Sequence, residues 1–493
     1  LIAKNEYDVA IVGHGIAGMS AAVSAAEQGA RVCVLERAPE GESGGCTRNT
    51  EAYMRLKNEN ELSDDFEEEM AAVASANPDP HMIAEMAGPE GEWPSVIRAM
   101  NVTDPSYLDT FASSAVPTIH WLKSMGVRFL ETNLPQITLR NQPMIAPSGG
   151  GHALLMALLE RARKSGVSFY YETTATGLIQ DDNGAVVGVK AVMHQNRRVD
   201  FRAKAVVLAS GGFEGSPEML ARYIGPGSIN IRPVARGAHY NRGEGIRMAL
   251  EIGAAPSGDY GSYHSTPVDL RSGRQEAKVL IFAYGVVVNK YGQRFADEGQ
   301  GADYTNFDRI CWAIQKQPDG VGYAIYDSSI EDIPNYKKAI YSDLPPVKAD
   351  SIGELAAKLG IPAKQVEETI AGYNAACPPS SGFDPAVADG LSTRGLTPPK
   401  SNWSRPIGKG PFYAYPLIPS GIITFGGIKT DSEGRVLNAD GERIPGLLAA
   451  GALVGVYHRR YPAATSVLRG ATFGRIAGKS AARVRHNEPV TAP

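Results

Sequence analysis

The residues with the clearest chemical purpose are three glycines and one acid near the N-terminus. Gly13-His-Gly15-Ile16-Ala17-Gly18 follows the apolar run Tyr7–Val12 directly, and Glu36 closes the next apolar run, Ala30–Leu35. Glycines at this spacing bring a backbone turn against a diphosphate. Gly13 permits the turn, Gly15 lets phosphate approach the main chain, and Gly18 lets the following helix pack closely on the strand. The first turn of that helix, with Ile16 and Ala17, offers unpaired N–H groups and the positive end of the helix dipole. Glu36 is suited to accept hydrogen bonds from a ribose diol. A glycine loop alone mostly serves turn geometry. Here strand, turn, helix, second strand and terminal acid stand in the order of a dinucleotide-binding βαβ unit.

The loop after Glu36 indicates which dinucleotide. The run Arg37-Ala-Pro-Glu-Gly-Glu-Ser-Gly44-Gly45-Cys46-Thr47-Arg48-Asn-Thr50 sets a glycine pair among hydroxyls. It suits main-chain contact with a cofactor longer than NAD, and FAD is the expectation. Further cofactor contacts are expected at Ser148, Gly149, Gly150 and Gly151 before a helix over Ala153–Ser165, at Thr176, and at Ala209, Ser210 and Gly211, where a strand ends in glycines. Asn241, Gly451, Ala452, Ser466 and Val467 complete the expected set.

These residues need a large scaffold. With 493 residues, 43% hydrophobic and 21% charged, the chain has the composition of an ordinary globular protein and the length for two domains. A net charge of -4 gives no electrostatic case for nucleic acid. Cys33, Cys46, Cys311 and Cys377 are scattered, with no CxxC pair. They form no iron–sulfur, zinc or disulfide framework, so no metal is expected and a reduced, cytoplasmic setting fits. No apolar run reaches the roughly 18 residues that span a bilayer. The first apolar segment lacks a basic n-region and a cleavage site, and the opening Leu-Ile-Ala reads as a trimmed or renumbered start, which leaves a lost leader open.

Along the chain, helices are expected over Asp64–Ser75 and Tyr107–Met125, a strand at Val167–Tyr171, and a strand from Arg202 into Gly211. After about Gly261 the chain becomes richer in aromatics and turns, with helices at Ile352–Leu359 and Lys364–Ala376. It returns to the earlier patterning with the strand Leu447–Ala450 and a helix from Ser466 to Val484. The fold class read from this is α/β: a Rossmann-type FAD-binding domain interrupted by an α+β cap, or substrate, domain. The segments are 1-262, 263-412 and 413-493.

Several passages together resemble the flavoprotein family of fumarate reductase and succinate dehydrogenase, nearly end to end. They are the glycine-rich N-terminus, Val206-Val-Leu-Ala-Ser-Gly-Gly-Phe213, Gly243-Glu-Gly-Ile-Arg-Met-Ala-Leu250, Val288-Asn-Lys-Tyr-Gly-Gln-Arg-Phe-Ala-Asp-Glu298 and Ile444-Pro-Gly-Leu-Leu-Ala-Ala-Gly451. Within it, Thr393-Arg-Gly-Leu-Thr-Pro-Pro-Lys-Ser-Asn-Trp403, Thr424-Phe-Gly-Gly427 and Tyr461-Pro462 are similar to the FAD-dependent tricarballylate dehydrogenase branch. The Tyr-Pro pair also resembles 3-ketosteroid dehydrogenases. The resemblance implies a substrate held between cap and FAD, with hydride leaving one carbon and a protein base taking the neighbouring proton to give a C=C bond beside a carbonyl or carboxylate.

Departures from that family steer the chemistry. Soluble fumarate reductases have an acid/base arginine where this chain has Ala302, and their second substrate arginine falls on Tyr461, with Arg459 and Arg460 just before it. One of these arginines is expected to clamp a substrate carboxylate, with His264 as a second contact, while Tyr461 polarises a carbonyl beside the Ala464-Thr465 turn. For the base, Tyr304, Tyr284 and His264 stand as alternatives. Ala452 replaces the usual ribityl-binding glutamate, and the covalent flavin histidine is missing, so noncovalent FAD is expected. The resulting expectation is a desaturase of a small carboxylate substrate, linear polycarboxylate or cyclic oxo acid, that passes electrons to a quinone, a dye-like acceptor, O2 or a redox protein. The alternatives are a reductase of an activated alkene, a 3-ketosteroid-type desaturase and a noncatalytic flavin electron-transfer module.

Overall fold

The computed structural model describes residues 6–133, 143–300, 305–379 and 381–484. Uninterrupted Val, Ile, Ala and Leu runs form a central sheet whose inner strands are parallel, with helices Ile16–Glu27 and Ser466–Ala481 packed on it. Its order is Arg435–Leu437, Arg443–Ala449, Arg197–Leu208, Glu6–Val12, Val32–Leu35 and Ser168–Tyr170. Thr174–Gln180 and Val186–Met193 continue from Arg197–Leu208 as antiparallel neighbours.

Register explains why distant motifs meet. Leu208 lies beside Val12 and Ala449, and Val12 lies beside Leu35. Four strands therefore end on one line, and each hands the chain there to a turn: Gly13, Glu36, Ala209–Gly211 and Ala450–Gly451. In open α/β sheets this edge is where ligands bind.

Helix Ile16–Glu27 is buried from Ile16 to Ala25, and the last helix, Ser466–Ala481, lies along it. A Cβ at Gly474 would stand 2.3 Å from Ala17 O, and one at Gly478 would stand 2.3 Å from Ala21 O. The two helices thus meet backbone to backbone, which brings the N-terminus of the last helix to the cofactor turn.

A second sheet is organised by the 13-residue strand Phe412–Thr424. It pairs with Arg232–Pro233, Tyr263–Asp269, Gly322–Asp327 and Val347–Ala349, and Val286–Val288 lies beyond Gly322–Asp327. Side chains alternate between faces. Val287, Ala324 and Tyr326 pack with Ile310 and Ile314 of helix Thr305–Gln315, whereas Val286, Val288 and Ile325 pack with helices Ile352–Leu359 and Ala363–Ala376. The sheet reaches across both limits read from composition, starting at Arg232 and running on to Thr424. Composition registers surface loops and aromatics, not strand pairing. Among the described residues no helix is long and apolar enough to cross a membrane.

Candidate active site

A cavity follows the strand-end edge and continues to the second sheet. Its lining runs from the glycine turn after the first strand to residues of the second sheet, so both sheets contribute to it. At one end stand Gly13, Gly15, Ile16, Ala17, Glu36 and Arg37. Glu36 Oε2 accepts from His14 N at 2.9 Å and Oε1 from Ala38 N at 2.7 Å, leaving each oxygen a further lone pair. Arg37 is paired with Glu244. The glycines divide by task. A Cβ at Gly13 would sit 2.4 Å from Ala209 O and one at Gly18 2.0 Å from Gly13 O, whereas at Gly15 nothing comes nearer than Thr47 Oγ1 at 3.7 Å. Gly13 and Gly18 serve the fold; Gly15 keeps open a space that only a ligand would use.

Gly45, Cys46, Thr47, Ala209, Ser210, Gly211, Asn241, Gly451, Ala452, Ser466 and Val467 also line the cavity. Ser210 Oγ is buried with no hydrogen-bond partner among the described residues, an orphan group that a polar ligand would satisfy. The remaining residues expected here lie elsewhere. Gly151, whose Cβ would be 1.8 Å from Thr47 O, and Gly44, 2.5 Å from Leu155 Cδ1, pack helix Gly150–Lys164 against the loop 44–50. Gly149 and Gly150 line an outer recess, as does Arg48, whose Nη1 donates to Ser43 O at 3.1 Å. Ser148 N donates to Arg128 O. Thr176 is exposed and its Oγ1 donates to Lys190 O; the strand's register shifts between Ala175 and Gly177, just past the Thr174 and Ala175 that line the cavity.

The other end holds the groups suited to chemistry. Tyr461 Oη accepts from Thr465 N at 3.0 Å and Ser466 N at 2.9 Å and donates to Ser466 Oγ at 3.0 Å. A positive φ of 58° at Ala464 makes the tight turn that lets this hydroxyl reach the N-terminus of the last helix. Burial pushes the phenol upward and outweighs the downward pull of the Ser466 and Thr465 bonds, so Tyr461 stays protonated at neutral pH. Its ring lies 4.3 Å from that of His264. Asp308 is buried; its Oδ1 lies 2.9 Å from His264 Nδ1 and accepts from Ser265 N at 2.7 Å. A bulge opposite His264/Ser265 places both Ile422 and Ile423 on the cavity wall.

Three residues expected to act on substrate stand outside the cavity. Arg460 points outward to Glu69 at 3.2 Å, and Arg459 is exposed, its N–H bonded to Asp259 Oδ2 at 3.2 Å. Neither lines the cavity. The left-handed turn at Arg459, φ 62°, lets Tyr461 turn inward while its two neighbours face solvent. Tyr284 is part of the second sheet's core, its hydroxyl bonded to Pro385 O at 2.8 Å and its ring against Trp403. His264 does line the cavity. Tyr304 and Ala302 lie outside the described residues.

Other cavity residues carried no motif in the sequence. Lys278 Nζ stands 2.7 Å from Glu276 and 3.3 Å from Glu51, under the ring of Tyr341, with Tyr53 on the same wall. Burial works against the Lys278 ammonium, but attraction to Glu276 and Glu51 wins and raises it. Glu214, also buried, accepts from Asn241 Nδ2 at 2.6 Å and Cys46 Sγ at 3.3 Å, and burial pushes its carboxyl up to about 7. Glu276 and Lys278, two apart, were a legible hint of one shared face; Glu51, Tyr341, Asp308 and Glu214 had no such signal.

The profile of the FAD binding domain family matches residues 8–468. The chain belongs to that family. A fumarate reductase (cytochrome) from Shewanella frigidimarina is 27% identical over 97% of this chain and 77% of its own. A 4-oxocyclohexanecarboxylate 2-dehydrogenase from Sinomonas cyclohexanicum is 30% identical over 67% of this chain and 61% of its own. Among solved structures, a 3-ketosteroid-delta4-(5alpha)-dehydrogenase from Rhodococcus jostii RHA1, in complex with 4-androstene-3,17-dione, superposes with a TM-score of 0.66 at 25% identity, covering 97% of both chains. The protein is an FAD-dependent oxidoreductase of the fumarate reductase family acting on C=C or CH–CH bonds.

Proposed function

We propose that this flavoprotein desaturates a cyclic ketone at the carbons next to its carbonyl. The observation that carries the reading is the Tyr461 hydroxyl, protonated and held in the cavity by two backbone N–H groups of the last helix's first turn, while both neighbouring arginines face solvent. Gly13–Ala17, Glu36, Gly45–Thr47, Ala209–Gly211 and Gly451–Ala452 would hold FAD, which would supply the hydride acceptor. Those residues fit it: Gly15 keeps its space clear, Ser210 Oγ awaits a partner, and the helix N-terminus faces the diphosphate position.

The chain's own residues do the rest. A ketone oxygen takes the place of Ser466 Oγ as acceptor of the Tyr461 proton, and the two N–H groups behind that hydroxyl strengthen it as charge builds on the oxygen. The carbon beside the carbonyl becomes acidic. Asp308 accepts the Nδ1 proton of His264, which leaves Nε2 as the basic nitrogen for removing the carbon-bound proton. Val234, Leu280, Ile422 and Ile423 wall the site with apolar surface that excludes water.

A linear polycarboxylate such as tricarballylate fits this wall poorly. Among the described lining residues at this end the cation is Lys278, already held between Glu51 and Glu276. The relatives named for a 4-oxocyclohexane ring and a 3-ketosteroid carry ketones, in agreement with a carbonyl at Tyr461. Anaerobic mixing of the yellow enzyme with cyclohexanone, 4-oxocyclohexanecarboxylate, a 3-ketosteroid, succinate and tricarballylate tests the reading. Ketones are expected to bleach the flavin and the polycarboxylates to leave it oxidised. Bleaching by polycarboxylates with none by ketones overturns it, and reoxidation of reduced flavin by enones alone assigns the reverse, reductive direction.

A further inference from the structure

Arg469 is an anomaly of the last helix. It lies one turn inside the N-terminus of Ser466–Ala481 and is 1% exposed. Among the described residues no carboxylate forms an ion pair with it. Nη1 donates to Val454 O at 3.1 Å and to Tyr107 Oη at 3.5 Å, the guanidinium lies 4.8 Å over the ring of Tyr457, and Nε has no partner. A buried charge without a counter-ion is costly, and a cation in the first turn of a helix adds repulsion from the positive end of the dipole. Both effects work against stability, so the charge is placed for something else.

Its surroundings say what. Tyr457 Oη is 2.9 Å from Thr465 Oγ1, and Thr465 N is 3.0 Å from Tyr461 Oη. The rings of Tyr457 and Tyr461 meet edge to face, 5.5 Å apart. Arg469 is therefore joined through two residues to the hydroxyl that the proposed reaction uses, but does not itself line the cavity. Resting on the Tyr461 reading above, we propose that Arg469 is a positioning residue whose fixed positive charge, behind Tyr457 and Thr465, favours an enolate oxygen at Tyr461 over the neutral ketone. The enolate forms when the C–H bond beside the carbonyl breaks; the proton goes to His264 and the electron pair to the oxygen. In a site of low polarity, one uncompensated charge about 10 Å away alters an anion's affinity by about tenfold or more and leaves a neutral ligand almost untouched.

The test uses the oxidised holoenzyme and two ligands followed by calorimetry: pentafluorophenol, a planar ring ionised at neutral pH, as the enolate mimic, and cyclohexanone as the neutral ketone. Arg469→Met is expected to weaken the phenolate about tenfold and change ketone affinity less than about twofold, whereas Arg469→Lys restores the phenolate. Turnover of Arg469→Met is expected to fall in kcat with KM nearly unchanged. Because removing an unpaired buried charge is neutral or stabilising, its Tm is expected to hold or rise. Equal loss of both ligands in the Met and Lys variants, with a lowered Tm, overturns the proposal in favour of packing alone. Unchanged phenolate affinity in Arg469→Met also overturns it. Tyr461→Phe separates the two claims: if it leaves phenolate affinity intact, the Tyr461 reading fails; if it weakens the phenolate and Arg469→Met does not, only the inference about Arg469 fails.

Discussion

The two ends of the cavity are built by different rules. At the dinucleotide end, residues adjacent in sequence are adjacent in space: Gly13, Gly15, Ile16, Ala17 and, after one strand, Glu36 line one wall. At the reacting end, adjacency misleads. Tyr461 turns inward while Arg459 and Arg460 turn out, and its partners His264, Ile422 and Lys278 arrive from elements far along the chain. Binding a diphosphate needs main-chain N–H groups in a row, which one turn supplies. Polarising a carbonyl and removing a proton needs side chains converging from several directions, which only tertiary structure supplies.

At the first end the expected effect is loss of the cofactor itself. Gly15→Val adds atoms where the apo chain has room, the nearest neighbour of a Cβ being 3.7 Å away, whereas Gly18→Ala puts a Cβ 2.0 Å from Gly13 O. The first variant is expected to fold with a near-parental Tm and purify colourless, its flavin content down at least about tenfold, since a diphosphate requires close backbone approach. The second is expected to lose Tm as well. Flavin absorbance per protein and a melting curve check both. A yellow Gly15→Val protein would remove the diphosphate from this loop.

At the other end, Tyr461→Phe keeps the ring against His264 and removes the hydroxyl. Turnover is expected to fall about 10²–10³-fold, as for loss of one donor to a developing oxyanion, with flavin content unchanged. Stopped-flow reduction of the flavin is the measurement; a fall below about threefold would take Tyr461 out of the reaction.

This contrast also accounts for what could be read from the sequence. The βαβ unit was legible because local order and spacing determine it, and the register of four parallel strands then brings Ala209–Gly211 and Gly451 to the same edge. Thr176 stands at a register shift of its strand, just past the Thr174 and Ala175 that line the cavity. Gly150 and Gly151 were real signals of close approach, but what they approach is the Thr47–Thr50 backbone. Tyr284 was plausible only while its burial against Trp403 was unknown. Glu214 and Asp308 were invisible, since a single acid acquires meaning from the strand that buries it.

Glu214 offers a smaller, pH-dependent effect between the two ends. Burial raises its carboxyl from 4.5 to about 7 in the folded chain. The folded state thus keeps a proton that the unfolded state has lost, so the stability contribution is full below about pH 4.5 and is lost as pH rises through about 7. The span corresponds to roughly 3 kcal/mol at most. His14 works in the opposite sense: burial lowers it to about 4, so its contribution is present above pH 6.5 and fades as pH falls toward 4. Glu214→Gln isolates the first. Its Tm is expected to exceed the parent's by more at pH 7.5 than at pH 5, and a difference independent of pH would place the Glu214 carboxyl in its ordinary range.

The smallest expected effect is the sharpest test of the reacting end. Arg460 is about one-third exposed and paired to Glu69, itself partly exposed, an ion pair of the kind that contributes about 0–1 kcal/mol. Arg459 is exposed and bound to Asp259 through its main chain, which an alanine retains. Arg460→Ala and Arg459→Ala are each expected to change turnover less than about threefold and stability by under about 1 kcal/mol. An arginine gripping a substrate carboxylate would behave otherwise, since a charged hydrogen bond contributes about 1.5–3 kcal/mol, or roughly ten- to a hundredfold in KM. The two outcomes do not overlap, so steady-state kinetics on the single and double variants decide whether this end is built for a carboxylate or a ketone. A double variant that keeps its KM for ketones leaves Tyr461, alone of the three adjacent residues, as the group that meets the substrate.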